Sequence, residues 1–123
     1  MDVIGDDSRR DYIKYTIGEG RCIIVKEDNS ISGFLTYDTN FFGCTFLSLI
    51  IVSPAKRRQG YASSLISYML THSPTQKIFS STNKSNESMQ TVFNANGFVR
   101  SGIVENLDEG DPEIIFYTKK LRA

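Results

Sequence analysis

Apolar and polar residues change period several times along the chain, and each change marks an element. Between about residues 8 and 17, Tyr12, Ile13, Tyr15, Thr16 and Ile17 fall near helical spacing before Gly18 and Gly20 end the run, which predicts a short helix. From Arg21 to Lys26 the β-branched run Cys22-Ile23-Ile24-Val25 predicts a buried strand. The polar turn Glu27-Asp28-Asn29-Ser30 then leads to a second strand over Ile31 to Tyr37, making a hairpin. A further turn over Asp38 to Gly43 precedes the strand Cys44 to Val52. Its continuous apolar end predicts burial on both faces at the sheet centre, until Pro54 forbids further ladder pairing.

Helical periodicity is clearest next: Ala62, Leu65, Ile66 and Met69 fall at i, i+3, i+4 and i+7, with Pro74 beyond the end. Lys77 to Thr82 predicts another strand. After the polar loop Asn83 to Ser85, a second helix carries Met89, Val92 and Phe93 on one face and stops at Gly97-Phe98. Phe98 to Glu105 and Glu113 to Lys119 predict two closing strands around an acidic loop. This order implies an α/β (α+β) layer architecture, and 123 residues suit one domain spanning 1–123.

Composition narrows the partners. Lys plus Arg and Asp plus Glu number 14 each, so the net field favours neither nucleic acid nor an anionic membrane. Cys22 and Cys44 have no CxxC spacing, which argues against a disulfide scaffold or a zinc site; no metal is expected. Met1 to Asp7 lacks a basic region followed by an apolar run, and no stretch approaches the roughly 20 apolar residues of a membrane span. A soluble cytoplasmic protein is expected, with no membrane partner.

The candidate chemistry lies where the buried strand passes through Ser53-Pro54-Ala55-Lys56 and Arg57-Arg58-Gln59-Gly60-Tyr61-Ala62 into the clearest helix. A helix N-terminus offers unpaired N–H groups and the positive end of the dipole. Gly60 and Ala62 allow a bulky diphosphate close to the backbone, and Lys56, Arg57 and Arg58 add positive charge. Neither GxxxxGK[ST] nor GxGxxG is present, so the junction is neither a Walker loop nor a Rossmann turn.

Leu49 to Ile66, with Val52-Ser53-Pro54 followed by Arg57-Arg58-Gln59-Gly60-Tyr61-Ala62, resembles the central motif of the GNAT (GCN5-related) N-acetyltransferases, V-x-P and then [RQ]-x-x-G-x-[GA]. Asn86 to Phe98 is similar to the family's later motif, an Asn opening a helix that ends in Gly-Phe. The likeness runs from about Cys22 to Leu121. It implies a GNAT-like mixed, mostly antiparallel sheet with flanking helices and a shortened N-terminal part, and acetyl-CoA as acyl donor.

By the same resemblance, Ile50, Ile51 and Val52 would meet the pantetheine arm through their backbone. Arg57, Arg58, Gln59, Gly60, Tyr61, Ala62 and Ser63 would wrap the pyrophosphate, and Asn86 and Phe93 would approach the cofactor from the later helix. It also implies that the strand of Ile50 to Val52 parts from that of Phe79 to Thr82, for which a β-bulge is the expected device. The sequence departs from the family at Phe93, where many members carry a Tyr that protonates the leaving thiolate.

Substitute donors are Tyr61 and Tyr117, with Tyr37 and Tyr68 as further choices. Glu105, Glu113, Asp38 or a water chain would have to take the proton, since Cys44 to Val52 holds no carboxylate. His72, near a helix C-terminus, and Cys44 read as structural. The implied reaction is acetyl transfer to a small-molecule or peptide amine by direct attack, with a backbone N–H near Ile50 to Val52 stabilising the oxyanion. A non-catalytic acyl-CoA-binding or partner-binding module, and a sensor of another phosphate ligand, stay open. So does a homodimer paired through an exposed strand near the C-terminus.

Overall fold

A computed structural model gives the fold and describes residues 7–121. Helix α1 (Asp7–Gly18) leads into β1 (Cys22–Glu27), β2 (Ser30–Phe41) and β3 (Cys44–Val52). A 3-10 turn (Pro54–Lys56) precedes α2 (Tyr61–His72), followed by β4 (Lys77–Asn83), α3 (Glu87–Ala95), β5 (Val99–Val104) and β6 (Glu113–Lys119). The six strands lie in the order β1-β2-β3-β4-β6-β5, antiparallel except for the β3–β4 pair. The α/β order read from the sequence is thus the observed one.

Two strand limits differ from the periodicity. β2 continues past Tyr37 to Phe41, and the turn shrinks to Phe42 and Gly43, whose φ of 54° and 76° are both left-handed. Two consecutive positive-φ residues match the right-handed strand twist, so a two-residue turn suffices. The second difference lies in Leu49 to Val52, which are half-buried rather than covered on both faces. β4 pairs with β3 only from Thr45↔Ile78 to Leu47↔Ser80, and beyond that β3 loses its neighbour.

The core lies between the sheet and one helical layer. Leu65, Ile66, Met69 and Leu70 of α2 and Phe93 of α3 pack with Leu35, Leu47, Ile78, Ile114 and Phe116 of the strands. Strand alternation puts Thr36 on the opposite face from Leu35, and there α1 docks through Tyr12. The apolar face of α2 anticipated from its spacing is the one buried. Gly97, with φ of 85°, ends α3, and buried Phe98 returns its N–H to the Phe93 carbonyl at 3.0 Å.

Candidate active site

The parting of β3 and β4 opens a hollow between them. Leu47 faces Tyr37 and Leu49 faces Thr36, so Ser48 is an extra residue in β3, a bulge located where pairing with β4 ends. The resulting cleft of about 140 Å³ is lined by Leu47, Ser48 and Ile50 from β3, Ser80, Ser81 and Thr82 from β4, and Asn86, Met89 and Phe93 from α3 and its cap. Ser80 donates to the Leu47 carbonyl at 2.8 Å, closing the narrow end. Past Leu47 the β3 edge facing the cleft has no partner strand, so its backbone N–H and C=O groups there are open to a ligand.

The loop after β3 doubles back on that strand. Arg57 donates from Nε to the Val52 carbonyl at 3.3 Å, and Arg58 and Gly60 both take left-handed φ, 64° and 83°. Gly60 is the N-cap of α2, and no side chain caps it. The first backbone bond of the helix runs from Ser64 N to Gly60 O at 3.0 Å, so the N–H groups of Tyr61, Ala62 and Ser63 precede the ladder. Arg57, Arg58, Gln59 and Gly60 are exposed, and Tyr61, Ala62 and Ser63 are half-buried.

Neither Arg57 nor Arg58 forms an ion pair among the described residues. Lys56 of the same loop has its Nζ 3.1 Å from Glu27 Oε1 at the end of β1. An uncapped helix start, a glycine in left-handed conformation and two guanidinium groups without ion pairs among the described residues together fit a diphosphate.

Helix α3 supplies the other wall. Asn86 caps it, its side chain accepting from Met89 N at 3.1 Å. Ser63 at the start of α2 receives a hydrogen bond from Asn96 Nδ2 at 3.1 Å, which joins the loop end of α2 to the far end of α3. Phe93 stacks on Phe116 at 4.9 Å and is only 1% exposed, so it serves as cleft floor and core at once.

The remaining candidates separate. Tyr61 opens α2, away from the residues lining the cleft. Tyr117 packs on Phe79 at 5.2 Å and does not line the cleft either. Glu105 is exposed just past β5 and also lies outside the lining. His72 donates from Nδ1 to the Tyr68 carbonyl at 2.9 Å and stacks on the Tyr68 ring, which is a helix-end arrangement.

Two contacts absent from the sequence reading reach the cleft instead. Tyr12 of α1 places its hydroxyl 2.7 Å from Ser48 Oγ and donates to Asp38 Oδ2 at 3.4 Å. Across the cleft, Ser81 donates to Glu113 Oε2 at 2.6 Å. Asp38 and Glu113 are among the candidate bases named from the sequence, and their contacts arise from pairing between distant segments.

Among the described residues no group of His, Cys, Asp and Glu has the arrangement of a metal site, and no helix is long and apolar enough to cross a membrane. Cys22 and Cys44 are free thiols. Burial pushes the Cys22 thiol up from its ordinary pKa.

Residues 3–98 match the model of the Acetyltransferase (GNAT) family. Among solved structures, a GNAT-family acetyltransferase from Bacillus cereus ATCC 10987 is 88% identical over 98% of this chain and 85% of its own, with a TM-score of 0.94. The ribosomal-protein-S18-alanine N-acetyltransferase from Escherichia coli shares the fold at 17% identity and a TM-score of 0.77, over 95% of this chain and 79% of its own. An acetyltransferase from Bacillus anthracis str. Ames, in complex with acetyl coenzyme A, does so at 20% identity and a TM-score of 0.72, over 80% of this chain and 61% of its own. No curated protein matches.

Proposed function

Because the chain belongs to the GNAT acetyltransferase family, whose acyl donor is acetyl-CoA, we propose that it acetylates a primary amine by direct attack, with donor and acceptor bound together. The observation that carries this reading is the bulge at Ser48, which opens a cleft beside a free strand edge just before an uncapped, arginine-flanked helix start. Bound there, acetyl-CoA supplies the acetyl thioester.

The chain's own residues then divide the work. Arg57, Arg58, Gln59 and Gly60, with the first N–H groups of α2 at Tyr61, Ala62 and Ser63, hold the diphosphate. The backbone groups of Ile50, Ile51 and Val52 that turn away from β2 would hold the arm in extended form, as an added strand would be held. A β3 N–H beyond the bulge polarises the carbonyl and takes up the developing negative charge. The amide nitrogen of Asn86 and the ring of Phe93 bound the cleft from α3. Phe93 has no proton to give, so no acid acts from that position. We take residues 1–123 as one acetyltransferase domain working in the cytoplasm, with the outer edge of β5 as the place where a second copy would pair.

Phe93 also supports a second reading, a binding module without turnover. Release of free thiol from acetyl-CoA, followed with tyramine, spermidine and a short peptide as acceptors, separates the two. Amine-dependent release is expected; saturable acetyl-CoA binding with no release from any of the three would favour the module.

A further inference from the structure

On the sheet face away from α2 and α3, strand alternation aligns Phe79 and Ser81 of β4 with Glu113, Ile115 and Tyr117 of β6. Glu113 pairs with Asn83, yet its side chain reaches back one pleat to Ser81, 2.6 Å away. Ser81 lines the cleft, so this bond brings a half-buried carboxylate to the cleft wall. No Lys or Arg pairs with Glu113 among the described residues, and its Oε1 receives no other hydrogen bond among them.

The neighbouring charges are mostly of one sign. Asp111 is held by Ser85 N and Oγ, Asp108 by Asn83, and Glu105 follows Val104 on the adjoining strand. Lys84 is joined through its backbone N–H to the Pro112 carbonyl. Tyr12 and Asp38 stand across the cleft at Ser48. About 7 Å along β4, two residues at the usual rise, Phe79 begins a row of rings. It contacts Tyr117 at 5.2 Å and Phe41 at 4.9 Å, and Phe41 contacts Phe46 at 4.9 Å.

We infer that the acceptor is a primary amine on an aromatic body, with its ammonium against Glu113 and its ring on Phe79 and Tyr117, and that Glu113 takes the ammonium proton. This rests on the transferase reading above. An N–H bond of R–NH3+ breaks and leaves its electron pair on nitrogen, while an O–H bond forms at Glu113 Oε1; carboxylate and ammonium become carboxylic acid and free amine. Ser81 is the positioning residue, fixing the carboxylate through Oε2 so that Oε1 faces the cleft.

The test uses the full chain with tyramine and ethanolamine as probes. Glu113→Gln should bind tyramine about 10-fold more weakly in calorimetry without acetyl-CoA. It should also lose about 100-fold in kcat/KM near pH 7. That deficit should narrow toward about pH 10, where the free amine forms without help. Ser81→Ala should show a smaller loss of the same pH form, and Glu113→Gln, outside the cleft lining, should keep the thermal shift given by acetyl-CoA. Unchanged tyramine affinity, or an equal loss at every pH, would overturn the role of Glu113. Ethanolamine acetylated as well as tyramine would overturn the aromatic half. Transfer to ethanolamine but not tyramine leaves the transferase reading standing, whereas no transfer to any amine overturns both.

Discussion

The hydroxyl of Tyr12 lies 2.7 Å from Oγ of Ser48, which ties helix α1 to the bulge that opens the cleft. Ser48 keeps Thr36 as a second partner, through its hydroxyl at 3.0 Å and its carbonyl at 3.2 Å. Tyr12→Phe therefore removes this bond and the longer one to Asp38 without stranding the serine. We expect a loss of about 1 kcal/mol in a urea titration, with acetyl-CoA affinity within a factor of about two. A collapse of acetyl-CoA binding in this variant would show that α1 holds the cleft open.

A second serine sits in a bulge with the opposite consequence. Ser32 is inserted where Val25 faces Gly33 and Lys26 faces Ile31, it is 1% exposed, and its hydroxyl has no partner among the described residues. An unpaired buried hydroxyl costs stability, so Ser32→Ala should be neutral or stabilise by about 1 kcal/mol. A clear loss in the same titration would mean that the hydroxyl is paired in solution.

Phe93 combines floor and core. It packs against Phe116 at 4.9 Å and Phe98 at 5.2 Å, so Phe93→Ala should cost about 3–5 kcal/mol. Phe93→Leu retains most of the buried volume and should cost clearly less. Equal losses from the two would place the ring's contribution in aromatic contact rather than volume.

Burial raises the pKa of Cys22, so its thiolate is scarcer at neutral pH than that of an ordinary thiol. The raised value gives the sign: alkylation of Cys22 in a Cys44→Ser variant is slow near neutrality and accelerates only above the ordinary thiol range. Mass spectrometry after a timed iodoacetamide pulse reads this directly. Labelling at pH 7 as fast as that of free cysteine would contradict it.

Much of the cofactor side was legible because its signals are local. Ala62, Leu65, Ile66 and Met69 repeat at helical spacing, Gly60 and Gly97 take the left-handed conformations that their places in turns require, and Asn86 caps α3 by accepting from the Met89 N–H three residues on. On the proposed acceptor side the sequence named Glu113 and Asp38 as carboxylates but not what they touch, because those contacts depend on register. Ser48 becomes a bulge only through its pairing with Thr36, and Ser81 meets Glu113 across 32 positions of sequence. The apolar run Leu49 to Val52 misled for the same reason: full burial needs a partner strand on both sides, and β4 turns away at Leu47.

The most direct measurement is the thermal unfolding midpoint with increasing acetyl-CoA, for the wild type and for Arg58→Glu. Binding at the cleft and the α2 N-terminus should raise the wild-type midpoint progressively, by an amount equivalent to about 2.7 kcal/mol at a hundredfold excess over Kd. Arg58→Glu, which puts an anion where the diphosphate is held, should lose that rise while unfolding at an almost unchanged midpoint without ligand. A wild-type midpoint that stays flat at saturating acetyl-CoA, or an equal rise in both proteins, would contradict the site.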